Sequence, residues 1–299
     1  MLANSPEVIG TQFKVGYRMQ KSWGMSMATA FFFGEAGAGL YFVSQFYDLV
    51  VGMIIGLLMV MFGKGGGHLL HLGKPSRGWR AFAKIGSSWI SRGLFAITVF
   101  SVFGFLHVMD VVNGPTPKAI SWTIAAVALI ACCVIMVYQG FAMSHSSSIT
   151  LWSTGLMPLA SLTYALLNGV LLTLVIGYGT LKQQHPDAIA MLQMAAFGLL
   201  LYGFVMILSL LHSAKYGSGG GKKSVELLLK GALSGYFLPI VLVLGFIVSS
   251  LMLYFASGDL ILLILVAGAE LTGYYAFRVL MFKAGTYDPI LSFAPKFKL

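Results

Sequence analysis

The sequence predicts an all-α integral membrane protein with eight transmembrane helices. Three observations carry this. Of its 299 residues, 58% are apolar and only 9% are charged, against about 25% charged in an average soluble domain. Mean hydropathy is +0.87. Eight apolar segments recur along the chain, each long enough for the ~20 residues a bilayer crossing needs. Such a composition excludes a soluble enzyme, a disordered chain and a nucleic-acid binder. Lipid offers no partner to backbone N–H and C=O groups, so the spans are helices and not open strands.

The segments run roughly 23–44, 49–71, 89–112, 120–143, 154–178, 189–213, 230–256 and 260–283. Residues 1–22 are polar, carry Lys14, Arg18 and Lys21, and hold no apolar core of a cleavable signal. The first span is therefore expected to act as the insertion signal. The spans divide at the 4–5 connection into 23–143 and 144–283, with a tail over 284–299. Gly34-Glu35-Ala36-Gly37-Ala38-Gly39 lies within the first span, where small residues let helices approach closely. The longest polar stretch, about 63–92, joins the second and third spans. Asn113-Gly114-Pro115-Thr116-Pro117 separates the third from the fourth, and His185-Pro186-Asp187 precedes the sixth. Gly217-Ser218-Gly219-Gly220-Gly221 precedes the seventh. It lacks the Gly-Lys-Ser order of a phosphate loop and reads as a flexible linker. Pro158 and Pro239 are the main interruptions inside spans. Cys132 and Cys133 are adjacent, so they form no ordinary disulfide. Without a wider cysteine spacing the chain is expected to hold no iron–sulfur cluster of its own.

Eight spans put both termini on one side with the 2–3, 4–5 and 6–7 connections. That side then holds all but Lys118 and Lys182 of the 19 lysines and arginines, Lys64 and Arg278 among them. Asp48, Asp110, Asp187 and Asp259 lie opposite. The positive-inside rule places the basic face, and both termini, in the cytoplasm of a prokaryotic inner membrane. A basic face also suits an acidic partner.

Ionisable groups within a bilayer are expensive and point to function. Glu35 is 12 residues into the first span and Glu270 about 10 into the last, about 15–18 Å deep at 1.5 Å per residue. Each is either a proton carrier or a neutral carboxyl hydrogen-bonded between helices. His68, His71, His145 and His212 fall near the basic ends of spans, His107 toward the other end, and His185 in an outer loop. Their positions at helix ends argue against a haem. The densest constellation is His71-Leu72-Gly73-Lys74-Pro75-Ser76-Arg77-Gly78-Trp79-Arg80-Ala81-Phe82, then Ser87-Ser88-Trp89-Ile90-Ser91-Arg92-Gly93. Imidazole, guanidinium and indole groups meet there where helices leave the bilayer. A quinone ring accepts hydrogen bonds from such groups while its tail stays in lipid, and His passes protons near neutral pH. Arg and Trp at a membrane edge also serve as ordinary interfacial anchors.

The 2–3 motif resembles the membrane-anchor subunits of complex iron–sulfur molybdoenzymes, the DMSO reductase anchors and the polysulfide reductase (NrfD-like) anchors. Phe33-Gly34-Glu35-Ala36-Gly37-Ala38-Gly39-Leu40-Tyr41 is similar to that family's Gly-rich first helix. Val137-Tyr138, Trp152 and Met157-Pro158-Leu159 resemble its fourth-to-fifth helix segment, and Glu270-Leu271-Thr272-Gly273 its last helix. The resemblance implies two four-helix bundles and a subunit without haem that reacts with menaquinone or ubiquinone. It implies a ferredoxin-like four-cluster iron–sulfur partner connected to a molybdenum or tungsten catalytic subunit. It maps quinone contacts onto His71 and Tyr138. Arg77, Trp79 and Arg80 would then shape the site or the dock, and Trp89 and Arg92 would line the mouth of the third helix. Glu35 and Glu270 would serve a proton path. One position departs: DMSO reductase anchors often carry Glu where Gly93 stands, with Glu35 as the substitute here. Several family members face the periplasm, whereas the cation count here points to the cytoplasm. The alternative is a proton-coupled transporter using Glu35 and Glu270, without a redox partner.

Overall fold

A computed structural model describes residues 16–71, 74–114 and 116–288. Lys14, Leu72, Gly73, Pro115, Lys296, Lys298 and most of the tail 284–299 lie outside the described residues. The architecture is helical. The long helices are α1 (Met25–Ser44), α2 (Val50–His71), α3 (Trp89–Asn113), α4 (Lys118–Ser144), α5 (Leu156–Ile176), α6 (Pro186–Gly217), α7 (Ser234–Phe255) and α8 (Leu260–Lys283). Their ends fall within a turn or so of those read from hydropathy, because apolar length alone fixes a span.

Among the described residues, helices α2 to α8 make up the seven that are long and apolar enough to cross a membrane. Helix α1 has 20 residues, but Gly34, Glu35, Gly37 and Gly39 interrupt its apolar run. Every residue from 34 to 41 is buried. Protein surrounds this stretch, so it has no need of lipid-facing apolar side chains. The buried apolar residues form two clusters. One joins Tyr41, Met53, Phe100 and Ile135 of α1–α4 with Ala165 of α5, and the other joins Leu167, Leu200, Phe246 and Phe277 of α5–α8 with Phe31 and Val43 of α1 and Met143 of α4. Helices α1 and α5 form the seam between them. A Cβ on Gly39 would lie 1.7 Å from the Ala165 carbonyl oxygen, and one on Gly169 would lie 2.3 Å from that of Gly39. These backbones touch as small residues permit.

The segments at one end of the helices are tied together. Arg18–Met19 pairs antiparallel with Thr286–Tyr287, and the Gln20 N–H donates to the Gly285 carbonyl at 2.8 Å. The Asp288 carboxylate accepts from the Thr150 hydroxyl, the Ser218 hydroxyl at 2.6 Å and the Gly220 N–H at 2.8 Å. The expected flexible linker is instead a helix, Gly219–Leu229. Ser218 Oγ caps it by accepting from the Gly221 N–H at 3.0 Å. With Asp288 satisfying a second free N–H, the first turn holds despite its glycines.

Candidate functional site

Helices α2 and α8 end where α1 begins. Long side chains on a helix lean toward its N-terminus, so those near the ends of α2 and α8 lean inward from that face. This decides the place of Lys64 and Arg278. Counted by position they belong to the basic face; the structure corrects this and buries both completely.

Arg278 Nη2 lies 2.5 Å from Glu35 Oε2 and donates also to Ser161 Oγ at 3.0 Å. Its Nε donates to Glu35 at 3.1 Å. The Tyr274 hydroxyl donates to the same carboxylate. Rings of Phe31, Tyr274 and Phe277 surround the guanidinium at 5.5–6.0 Å. Glu35 is thus paired with Arg278, a charge partner that the sequence reading did not foresee. The other carboxylate oxygen of Glu35, and both of Glu270, are buried without a side-chain or backbone partner among the described residues. Tyr164, whose hydroxyl is likewise buried and unpartnered there, stacks on Tyr274 at 4.3 Å.

The backbone of α2 widens to a π-helical stretch over Met59–Lys64, a distortion that often accompanies function. Lys64 Nζ donates to Gln139 Oε1 at 2.6 Å, and Gln139 Nε2 donates to the Phe31 carbonyl at 3.3 Å. The ammonium lies 4.6 Å from the centre of the Tyr138 ring. Its stem runs across Gly34, where a Cβ would come within 2.6 Å of it. The Tyr138 hydroxyl shares a 3.3 Å hydrogen bond with His68 Nε2. The buried polar cluster therefore takes groups from α1, α2, α4, α5 and α8.

Tyr138 also explains Gly93. A Cβ at position 93 would lie 2.0 Å from the Tyr138 ring. The ring fills the space that a glutamate would need. Beside it, Trp89 stacks on Phe141 with centroids 4.2 Å apart. The Arg92 guanidinium lies 4.5 Å from the centre of Trp89 and donates to the Ile85 and Gly86 carbonyls at 3.0 and 2.6 Å. Trp89 and Arg92 stand in the lining of an apolar cavity of about 400 Å³ between α3 and α4, with Phe95, Val99, Ile130 and Val134 among its other walls. Tyr138 follows Val134 by one turn on α4.

Sequence-predicted groups thus fall into five places. Glu35 and Tyr138 are in the buried cluster, and Trp89 and Arg92 border the apolar cavity. Arg77, Trp79 and Arg80 are exposed on the 3₁₀ segment Pro75–Lys84 and are not brought to Tyr138. His71 is half-buried at the end of α2, one turn past His68, and Glu270 is buried in α8. Lys64, His68, Gln139 and Arg278 went unrecognised as site residues. Their signal was spacing: Lys64, His68 and His71 share one face of α2, as Glu270, Tyr274 and Arg278 share one face of α8. At the opposite end, Tyr41 and His107 Nδ1 are 2.8 Å apart. Asp110 there accepts from the Thr116 N–H and the Ser121 hydroxyl.

A family model described as the DMSO reductase anchor subunit (DmsC) matches residues 43–218, more than half of the chain. The chain belongs to the DMSO reductase anchor subunit family. It is a multi-pass membrane anchor of an oxidoreductase complex. The DmsC match runs from the end of α1 to the end of α6 and takes in Lys64, His68, Trp89, Arg92 and Tyr138. Glu35 and Arg278 lie outside it. The chain is also similar to a sulfite dehydrogenase subunit of Allochromatium vinosum, at 36% identity over 63 residues. That match spans 21% of this chain and 18% of the relative.

Proposed function

We propose that this chain is the quinone-reactive anchor of a multi-subunit oxidoreductase. It passes electrons between the membrane quinone pool and an iron–sulfur partner docked at the basic face. The observation that carries this reading is the apolar cavity between α3 and α4, which has Trp89 and Arg92 in its lining. Its walls suit the tail of menaquinone or ubiquinone, with the ring lying toward Arg92. Arg92, Tyr138, His68 and His71 are the donors that would hold the ring carbonyls. A bound quinone supplies two-electron, two-proton chemistry. Lys64, Gln139 and Glu35 extend the buried polar groups inward from Tyr138, and Glu270 lies beyond Tyr274 and Tyr164; this is the proton route we assign.

The partners in this reading are a ferredoxin-like four-cluster iron–sulfur subunit and a molybdenum or tungsten catalytic subunit. The exposed Arg77, Trp79 and Arg80 form part of the dock. Eight crossings in two four-helix halves are part of the same reading. The two apolar clusters support the halves. An even number of crossings is supported by the pairing of Arg18–Met19, before α1, with Thr286–Tyr287, after α8. The basic face is assigned to the cytoplasm of a prokaryotic inner membrane.

The test is quinol oxidation and quinone reduction by the complex purified in mild detergent, for the parent and for His68→Ala, His71→Ala, Tyr138→Phe and Arg92→Gln. We expect turnover to fall about 100-fold where a proton-transferring group is lost, with the partner subunits still co-purifying. Undiminished turnover in all four variants rejects the site. A transporter, by contrast, purifies alone.

A further inference from the structure

We propose that the lysine-lined cavity between α6 and α7 is a site for the phosphate headgroup of an anionic phospholipid. The cavity, of about 500 Å³, is lined by Lys215 at the end of α6, Lys222 and Lys223 in the helix Gly219–Leu229, and Lys230 after it. Glu226 is its one acidic lining residue. Four ammonium groups gathered round one carboxylate repel one another unless an anion joins them. Lysine binds phosphate as a mobile point charge, which suits the variable headgroups of lipids. The lining is not only charged: Leu227 forms part of it.

Position favours a lipid over a soluble anion. The cavity lies where α6 and α7 leave the apolar zone, the level at which lipid phosphates sit. Leu208 and Leu201 precede Lys215 by one and two heptads, on the same face of α6, and are 44% and 51% exposed. They offer acyl chains an apolar track leading directly to the headgroup. Basic pockets between membrane helices on the cytoplasmic side bind such headgroups.

The experiment uses the full-length chain in detergent, with retained lipids counted by native mass spectrometry. Phosphatidylglycerol, cardiolipin and phosphatidylcholine are added in turn, with inorganic phosphate as competitor. The expected result is tighter retention of the anionic lipids than of phosphatidylcholine. The double variant Lys222→Gln/Lys223→Gln should weaken it about tenfold or more, at roughly fivefold per lysine near a membrane surface. All four lysines are exposed, so the variants keep the fold. The control Lys74→Gln/Lys84→Gln, on the 2–3 segment, should change nothing. Equal retention of anionic and neutral lipids, or equal loss in the control, overturns the proposal. So does displacement of lipid by inorganic phosphate at equal concentration, which would assign the cavity to a free anion. Capture of the cavity by an acidic partner subunit, with no lipid retained, also overturns it.

Discussion

Arg278 and Glu35 rest in an apolar interior because each satisfies the other. A lone buried charge costs several kcal/mol even after relaxation, and a buried pair repays that only with good geometry and further hydrogen bonds. Ser161 and Tyr274 supply those bonds here. Arg278→Ala should therefore destabilise the chain by roughly 3–5 kcal/mol, since it strands Glu35. The double replacement Glu35→Gln/Arg278→Met should cost clearly less than the single one. Thermal unfolding in detergent measures both, and a double variant weaker than Arg278→Ala rejects the pairing argument. Gly93 yields a second prediction at this scale. Gly93→Ala forces the Tyr138 ring aside and should cost about 1–3 kcal/mol through overpacking. Quinone-linked turnover should fall with it. Glu35 and Tyr138 were legible in the sequence because a carboxylate in mid-span and a motif tyrosine stand out. Lys64 and Arg278 were misplaced because a cation near a helix end counts as a loop charge by position. The direction of its side chain appears only in three dimensions.

At the scale of elements, the long helices were legible because each is bounded by polar residues and turn chemistry. The glycines of α1 were legible as contact points in kind, but not in partner. Gly37 meets α2, with a Cβ 2.7 Å from that of Met59 and 2.8 Å from the Gly56 carbonyl oxygen, and Gly39 meets the backbone of α5. No rearrangement of a flexible side chain can relieve the contact at Gly39. Gly39→Ala should thus separate α1 from α5 and abolish recovery of monodisperse protein, while Gly66→Ala, which has open space around its Cβ, should not. Size-exclusion chromatography of both variants decides this. The helix Gly219–Leu229 was misread as a linker because its cap depends partly on Asp288, which is 68 residues away from Gly220. No local pattern carries that information.

For the molecule as a whole, Asp288 links the segments after α4, α6 and α8, while the pairing of Arg18–Met19 with Thr286–Tyr287 adds the segment before α1. All four segments thus meet at one end, independently of any charge count. Moving Lys64 and Arg278 into the interior removes two cations from the basic face, yet the described loops keep their excess there. Sidedness then rests on two separate lines, connectivity and the cations that remain. In a cysteine-free background, single cysteines at Lys84, Ser148 and Lys223 should react together with a membrane-impermeant maleimide from one side only. Cysteines at Thr116, Lys182 and Gly258 should react only from the other. With the basic face in the cytoplasm, intact spheroplasts should label the second group and inverted vesicles the first. Labelling of Lys84 and Lys182 from the same side would break the even count by removing one of α3, α4 and α5 as a crossing. The opposite sidedness with the groups intact would keep the fold and turn the basic face, and the partner subunits it receives, to the outside.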